Sequence, residues 1–188
     1  MTTTDTLPPL TGRRIALLVE EGFSAREVLE SRQVLTQAGA EVVLVGNTTQ
    51  APYHDKTGTT TITADVTAGR TRMADFDALV IPGGHAPDRM RMRHQMVELA
   101  ADAVASDKPV AAICHGPQVL ITANVLRGRT MTCWPSIAVD VTNAGGRYVD
   151  RPAVQDGQLI TARKSDDLPA WLALLVQALI DRPANPAR

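Results

Sequence analysis

Aromatic side chains are scarce in this chain: two Phe, two Tyr and two Trp, or 3% of 188 residues. A surface that stacks successive bases needs such rings, so nucleic acid is not expected as a partner. An excess of one charge is also missing. Lys and Arg number 19 against 20 Asp and Glu, for a formal net charge of -1. That leaves no basic footprint for nucleic acid or for an anionic membrane. Long apolar runs are absent too. The most apolar stretch, Leu168 to Ile180, is about 13 residues and carries Gln177, too short for a bilayer core of roughly 30 Å. Residues Met1 to Gly12 are rich in Thr and Pro without an apolar centre, unlike a signal peptide. A cytoplasmic location is the resulting expectation. With only Cys114 and Cys133, a disulfide framework is not expected. The four histidines (His54, His85, His94 and His115) lack metal-ligand spacing, so no metal is expected.

What is present is a globular composition, 44% apolar and 21% charged. Continuous apolar runs read as buried strands over Arg13 to Val19, Glu41 to Val45, Phe76 to Ile81 and Pro109 to Ile113. Between them the pattern is helical over Ser24 to Ala38, Met92 to Ser106 and Gln118 to Ala123, and Leu168 to Asp181 closes the chain as a helix. Pro52 to Thr63 suits a hairpin, and Asp156-Gly157 marks another. Short strands and turns fill the chain through Thr161. Alternating strands and helices make a doubly wound α/β sheet in which the parallel crossovers are right-handed. Residues 13–181 form the expected domain, with tails at 1–12 and 182–188. Ligands of such sheets bind beyond the carboxyl ends of the strands. Three turns leave strands at that edge: Glu20-Glu21-Gly22, Pro82-Gly83-Gly84 and Cys114-His115-Gly116.

Cys114 ends a buried strand at a turn where Gly116 permits tight folding and a helix starts behind. Unpaired N–H groups at a helix start favour a thiolate and can bring a thiol from about 8.5 to between ~3.5 and ~7.5. This is the logic of a nucleophile elbow with sulfur in place of oxygen. Cys133, with no helix start or base beside it, reads as a small buried apolar residue. His115 is either a general base or a loop histidine. Gly83 and Gly84 are either oxyanion donors through their backbone N–H groups or an ordinary turn. Glu27 lies three residues after Ser24 and by spacing reads as half of a capping box, or else as a partner of the sulfur. The basic run Arg89 to His94 reads as a solvated face or a contact with a partner subunit, with a nucleic-acid patch a distant third at near-neutral total charge.

The segment Ala112-Ile113-Cys114-His115-Gly116-Pro117-Gln118 resembles the signature of the PfpI family, within the ThiJ/PfpI superfamily. So do Leu79 to Asp88, Leu126-Arg127-Gly128-Arg129, Asn143-Ala144-Gly145 and Asp166-Asp167-Leu168-Pro169, and the likeness runs from Arg13 to Ile180. The resemblance implies a flavodoxin-like sandwich, similar to class I glutamine amidotransferases, and a homodimer or higher homo-oligomer. It implies Cys114 as nucleophile, His115 as its partner and Glu27 against the sulfur. It implies oxyanion donors at the backbone N–H groups of Gly84 and His115. The triad acid it implies is Asp88 from a neighbouring subunit, one methylene shorter than the Glu common there. Ser24 and Ala25 stand where the family often has an acidic pair.

The resemblance carries three activities that share these atoms. The first is a cofactor-free cysteine enzyme of carbonyl stress, acting on methylglyoxal or its protein adducts as a glyoxalase III or deglycase. The second is an intracellular cysteine peptidase. The third is a non-enzymatic redox sensor or holdase.

Overall fold

A computed structural model describes residues 10–183. Residues 1–9 and 184–188, which make up most of the two expected tails, lie outside the described residues. Of the remaining tail positions, Leu10 is only 2% exposed and joins the core.

Strands β1 (Arg14–Leu18), β2 (Glu41–Gly46), β3 (Tyr53–His54), β4 (Thr61–Ile62) and β5 (Val66–Thr67) alternate with a single long helix, α1 (Ala25–Gln37). There follow β6 (Ala78–Ile81), α2 (Ala86–Met90), α3 (His94–Ala105), β7 (Val110–Ile113) and α4 (Pro117–Thr122). The last third holds β8 (Thr130–Met131), α5 (Ala138–Asn143), β9 (Arg147–Tyr148), β10 (Ala153–Asp156), β11 (Leu159–Ala162) and α6 (Leu168–Ile180).

Seven strands form one sheet in the order β10-β11-β7-β6-β1-β2-β5. All neighbours pair in parallel except β10 with β11, the hairpin turned at Gly157. The fold is therefore α/β, a doubly wound sandwich with a mostly parallel sheet. β6 and β7 are buried at every position because helices cover both faces. Helices α1 and α6 pack together, and α3 and α2 pack on α4. From β1 the chain winds outward to β2 and then returns to β6 on the other side. The strand order thus reverses between β1 and β6, and a site is expected beyond their carboxyl ends.

Local chemistry moved several boundaries. The strand expected from Phe76 begins at Ala78, because Asp77 turns its carboxylate to the sheet edge and accepts the Arg14 N–H at 2.8 Å. The helix expected from Met92 starts at His94, and a separate short helix, α2, precedes it with Pro87 in its first turn. The segment before β9 contains helix α5 where short strands were expected. The hairpin within 52–63 is present as β3 and β4. No helix among the described residues is long and apolar enough to cross a membrane.

Candidate active site

The three sheet-edge turns meet. Phe23, after β1, forms an antiparallel bridge with Gly84, and Ser24 N–H donates to the Gly83 carbonyl at 3.2 Å. Gly84 has φ +85°, and a Cβ there would press on the backbone of Gly22, Phe23 and Ser24. Only glycine lets the two loops touch. Gly83 faces inward: a Cβ on it would stand 2.7 Å from Cys114 Cβ and 2.8 Å from Glu27 Oε2. That places the carboxylate and the cysteine side by side.

Cys114 follows β7 with φ +60°. A non-glycine residue in this region stores about 1–3 kcal/mol of strain. Its N–H is anchored to the Ala162 carbonyl at 3.0 Å, and its carbonyl accepts from Trp134 N–H at 2.9 Å. The strained turn is held from both sides, and its side chain is half-buried. His115 Nδ1 lies 3.4 Å from the sulfur, and the His115 ring stacks on Trp134 with centroids 6.0 Å apart.

The sequence pointed to a depressed thiol pKa, and the structure reverses that direction. Burial, together with the negative charge of Glu27, pushes the Cys114 thiol up to about 12. The helix start supplies less than expected. Pro117 has no N–H, Gly116 N–H is spent on the Ile113 carbonyl, and α4 is six residues long. The donors that oppose the rise are the backbone N–H groups of Gly84 and His115, both directed at the sulfur. They are the same two amides that the family resemblance implies as oxyanion donors.

Glu27 is 1% exposed and does not cap its helix: no capping bond forms at Ser24, whose N–H is engaged with Gly83. Its Oε2 accepts the Gly83 N–H at 2.6 Å and its Oε1 accepts the Ser165 hydroxyl at 2.8 Å. Burial raises its pKa, against hydrogen bonds from Ser165 and Gly83. Cys114 and Glu27 are thus two neighbouring acids whose pKa values are both raised, each chiefly by burial. Burial holds the His115 pKa down, with His85 and Lys56 adding to the effect, so the ring is poised as a neutral acceptor.

The structure therefore brings Cys114, His115, Glu27 and the Gly84 amide together. It does not bring Asp88 to them. Asp88 is exposed in the first turn of α2, and no carboxylate is hydrogen-bonded to His115 among the described residues. Sequence reasoning missed Ser165, Trp134 and Lys56. Asp166-Asp167-Leu168-Pro169, directly after Ser165, was the nearest signal. Among the described residues no group of three or more His, Cys, Asp or Glu is arranged to hold a metal.

The model of the DJ-1/PfpI family matches residues 13–178. Protein/nucleic acid deglycase 2 of Escherichia coli is 41% identical over 160 residues, covering 85% of this chain and 93% of that protein. General stress protein 18 of Bacillus subtilis is 40% identical over 170 residues, covering 87% of this chain and 98% of that protein. Among solved structures, a two-domain protein of Anabaena variabilis with DJ-1/ThiJ/PfpI-like and ferritin-like domains superposes with a TM-score of 0.88 at 38% identity. That match covers 93% of this chain and 49% of the other, so the chain spans about half of it. DJ-1beta of Drosophila melanogaster superposes with a TM-score of 0.82 at 25% identity, covering 90% of this chain and 91% of that one.

Proposed function

This chain belongs to the DJ-1/PfpI family, and we propose that it is a cofactor-free cysteine enzyme acting on methylglyoxal or its protein adducts. The observation that carries this reading is the sulfur of Cys114 at a left-handed turn, faced by two backbone N–H groups and a buried carboxyl group. The names of its deglycase and general stress relatives support it.

The chemistry runs through these groups in order. With Glu27 protonated, the Cys114 thiolate is relieved of the neighbouring negative charge. The thiolate attacks the aldehyde carbon, a C–S bond forms, and the carbonyl electron pair moves to oxygen. The Gly84 and His115 amides that held the sulfur are placed to hold that oxyanion. For methylglyoxal, His115 takes the proton from the former aldehyde carbon, and reprotonation at the neighbouring carbon leaves a thioester. One carbon is oxidised and its neighbour reduced, so no external oxidant is consumed. Water then cleaves the thioester, giving lactate and the free thiol. On a protein adduct the thiolate displaces the amine from the carbinolamine carbon, the amine leaves with a proton from His115 or Glu27, and the resulting hemithioacetal goes on to the thioester by the same proton transfer.

His115 still needs an orienting acid, and we propose that Asp88 of a second copy supplies it, so that the active form is a homodimer or larger. The test of the whole reading is incubation of wild type and Cys114→Ser with methylglyoxal and with a glycated peptide. Lactate from wild type alone is expected. New amino termini without lactate would overturn the reading in favour of a peptidase. Asp88→Asn, assayed as assembled oligomer, should lose turnover while keeping its sedimentation. An active Asp88→Asn oligomer removes Asp88 from the mechanism.

A further inference from the structure

Beside the Cys114 site lies an open depression of about 670 Å³, walled in part by Ser24, Lys56, Trp134 and Ser165. Ser24 and Ser165 border Glu27, and Trp134 carries the His115 ring. The charges of the depression are almost all spoken for. Arg26 is paired with Glu30 and with Asp166, each at 2.9 Å, and Lys164 also faces Asp166 at 3.6 Å. Asp55 gives both oxygens to its own hairpin, accepting from the N–H groups of Thr57, Thr59 and Thr60 and the Thr57 hydroxyl. Those bonds hold it ionised, at about 2.

Lys56 is the exception. Its ammonium has no ion-pair or hydrogen-bond partner among the described residues, while its backbone is firmly placed. Lys56 N–H donates to the Phe23 carbonyl at 2.9 Å, and Phe23 bridges Asp55 on one side and Gly84 on the other. The unpaired cation is thus mounted on the same scaffold as the oxyanion amide. Its charge reaches the three reacting groups, favouring ionised forms of Cys114 and Glu27 and neutral His115.

We propose that Lys56 is an anion-recognition residue of this site, selecting aldehydes or adducts that carry a carboxylate or phosphate near the reacting carbon. Neutral substrates enter the same depression but leave Lys56 solvated. The inference rests on Cys114 being the reacting atom, as in the proposed function. Its substrate form deepens that reading.

The test does not need turnover. Iodoacetate and iodoacetamide differ in one charge and little in size. The ratio of their alkylation rates at Cys114 reads the local preference for an anion, and Cys133 is fully buried and out of reach. In Lys56→Gln the iodoacetate to iodoacetamide ratio should fall about fivefold, the effect of one unit charge several ångströms away in a partly solvated site. Lys56→Arg should keep the wild-type ratio, and Lys164→Gln should change it less than twofold. High salt should shrink the wild-type preference. An unchanged ratio in Lys56→Gln, or a loss that Lys56→Arg does not restore, overturns the proposal. Protection of Cys114 from iodoacetamide by glycolate or by inorganic phosphate distinguishes a carboxylate from a phosphate ligand, and protection by neither also overturns it. If wild type turns over no methylglyoxal while the ratio still depends on Lys56, the proposed reaction fails and the anion site stands.

Discussion

The two cysteines make a controlled comparison inside one molecule. Burial pushes both thiols up to about 12. Around Cys133 nothing answers that push: the further influences, Cys114 and Asp140, raise it again. Around Cys114 the Gly84 and His115 amides and Lys56 all oppose it, and the group that adds to it, Glu27, is itself reluctant to ionise. The backbone differs in the same sense, with left-handed strain at Cys114 and none at Cys133. In the proposed reaction, the reactivity of Cys114 comes from what surrounds the sulfur once it is charged. How hard the thiol is to ionise in isolation does not separate the two.

The largest effect should come from replacing the sulfur. Cys114→Ser should lower kcat/KM for methylglyoxal by about a thousandfold or more, measured as lactate formed. A residual rate within tenfold of wild type would mean the comparison has picked the wrong cysteine. Next is Gly83→Ala. The added methyl lands against Cys114 Cβ and Glu27 Oε2, so one of them must shift. A displacement of about 1 Å in a reacting group costs roughly a hundredfold in kcat. Circular dichroism should stay native, since Gly83 needs no positive φ.

Much of this contrast was legible before any coordinates. Four apolar runs gave the central strands, and the alternation with helices placed Cys114 at the ligand-binding edge. The Gly-Gly pair was legible as a turn with amides to offer. Other parts were out of reach because they depend on approach in space. Ser165 meets Glu27 across 138 positions of chain, and no periodicity links them. Glu27 itself sat in a capping pattern that local spacing favours. The tertiary bond from Gly83 won because Ser24 N–H was already taken. The direction of the thiol pKa was missed for the same reason: burial of the sulfur, its largest cause, and the Glu27 charge both come from elements packed around the turn.

Glu27→Gln separates the two influences on Cys114. It removes a negative neighbour, so the thiol should titrate below about 12, followed by ultraviolet absorbance of the thiolate. It also removes the group that takes the proton, so turnover should fall about ten- to hundredfold although the sulfur ionises more easily. Unchanged turnover would show that Glu27 is only a neighbour. The same variant reports on stability. The folded-state pKa of Glu27 lies above its unfolded value near 4.5. Its contribution to stability is therefore fully present below about 4.5 and is lost as pH rises through the folded pKa. Chemical denaturation across that window should show this decline in wild type and a flatter profile in Glu27→Gln.

The smallest catalytic effect belongs to Cys133, and it tests the other half of the comparison. If Cys133 is a packing residue, Cys133→Ala should leave kcat/KM within twofold and cost about 1 kcal/mol of stability for the lost contacts. Cys133→Ser should cost more, about 1–3 kcal/mol, because its hydroxyl enters a fully buried site. The neighbouring Thr132 hydroxyl is already buried without a hydrogen-bond partner among the described residues. A packing role thus requires Ala to be the milder change and Ser the harsher, with turnover indifferent to both. The opposite order, or a loss of turnover in Cys133→Ala at native stability, would make the second sulfur a participant.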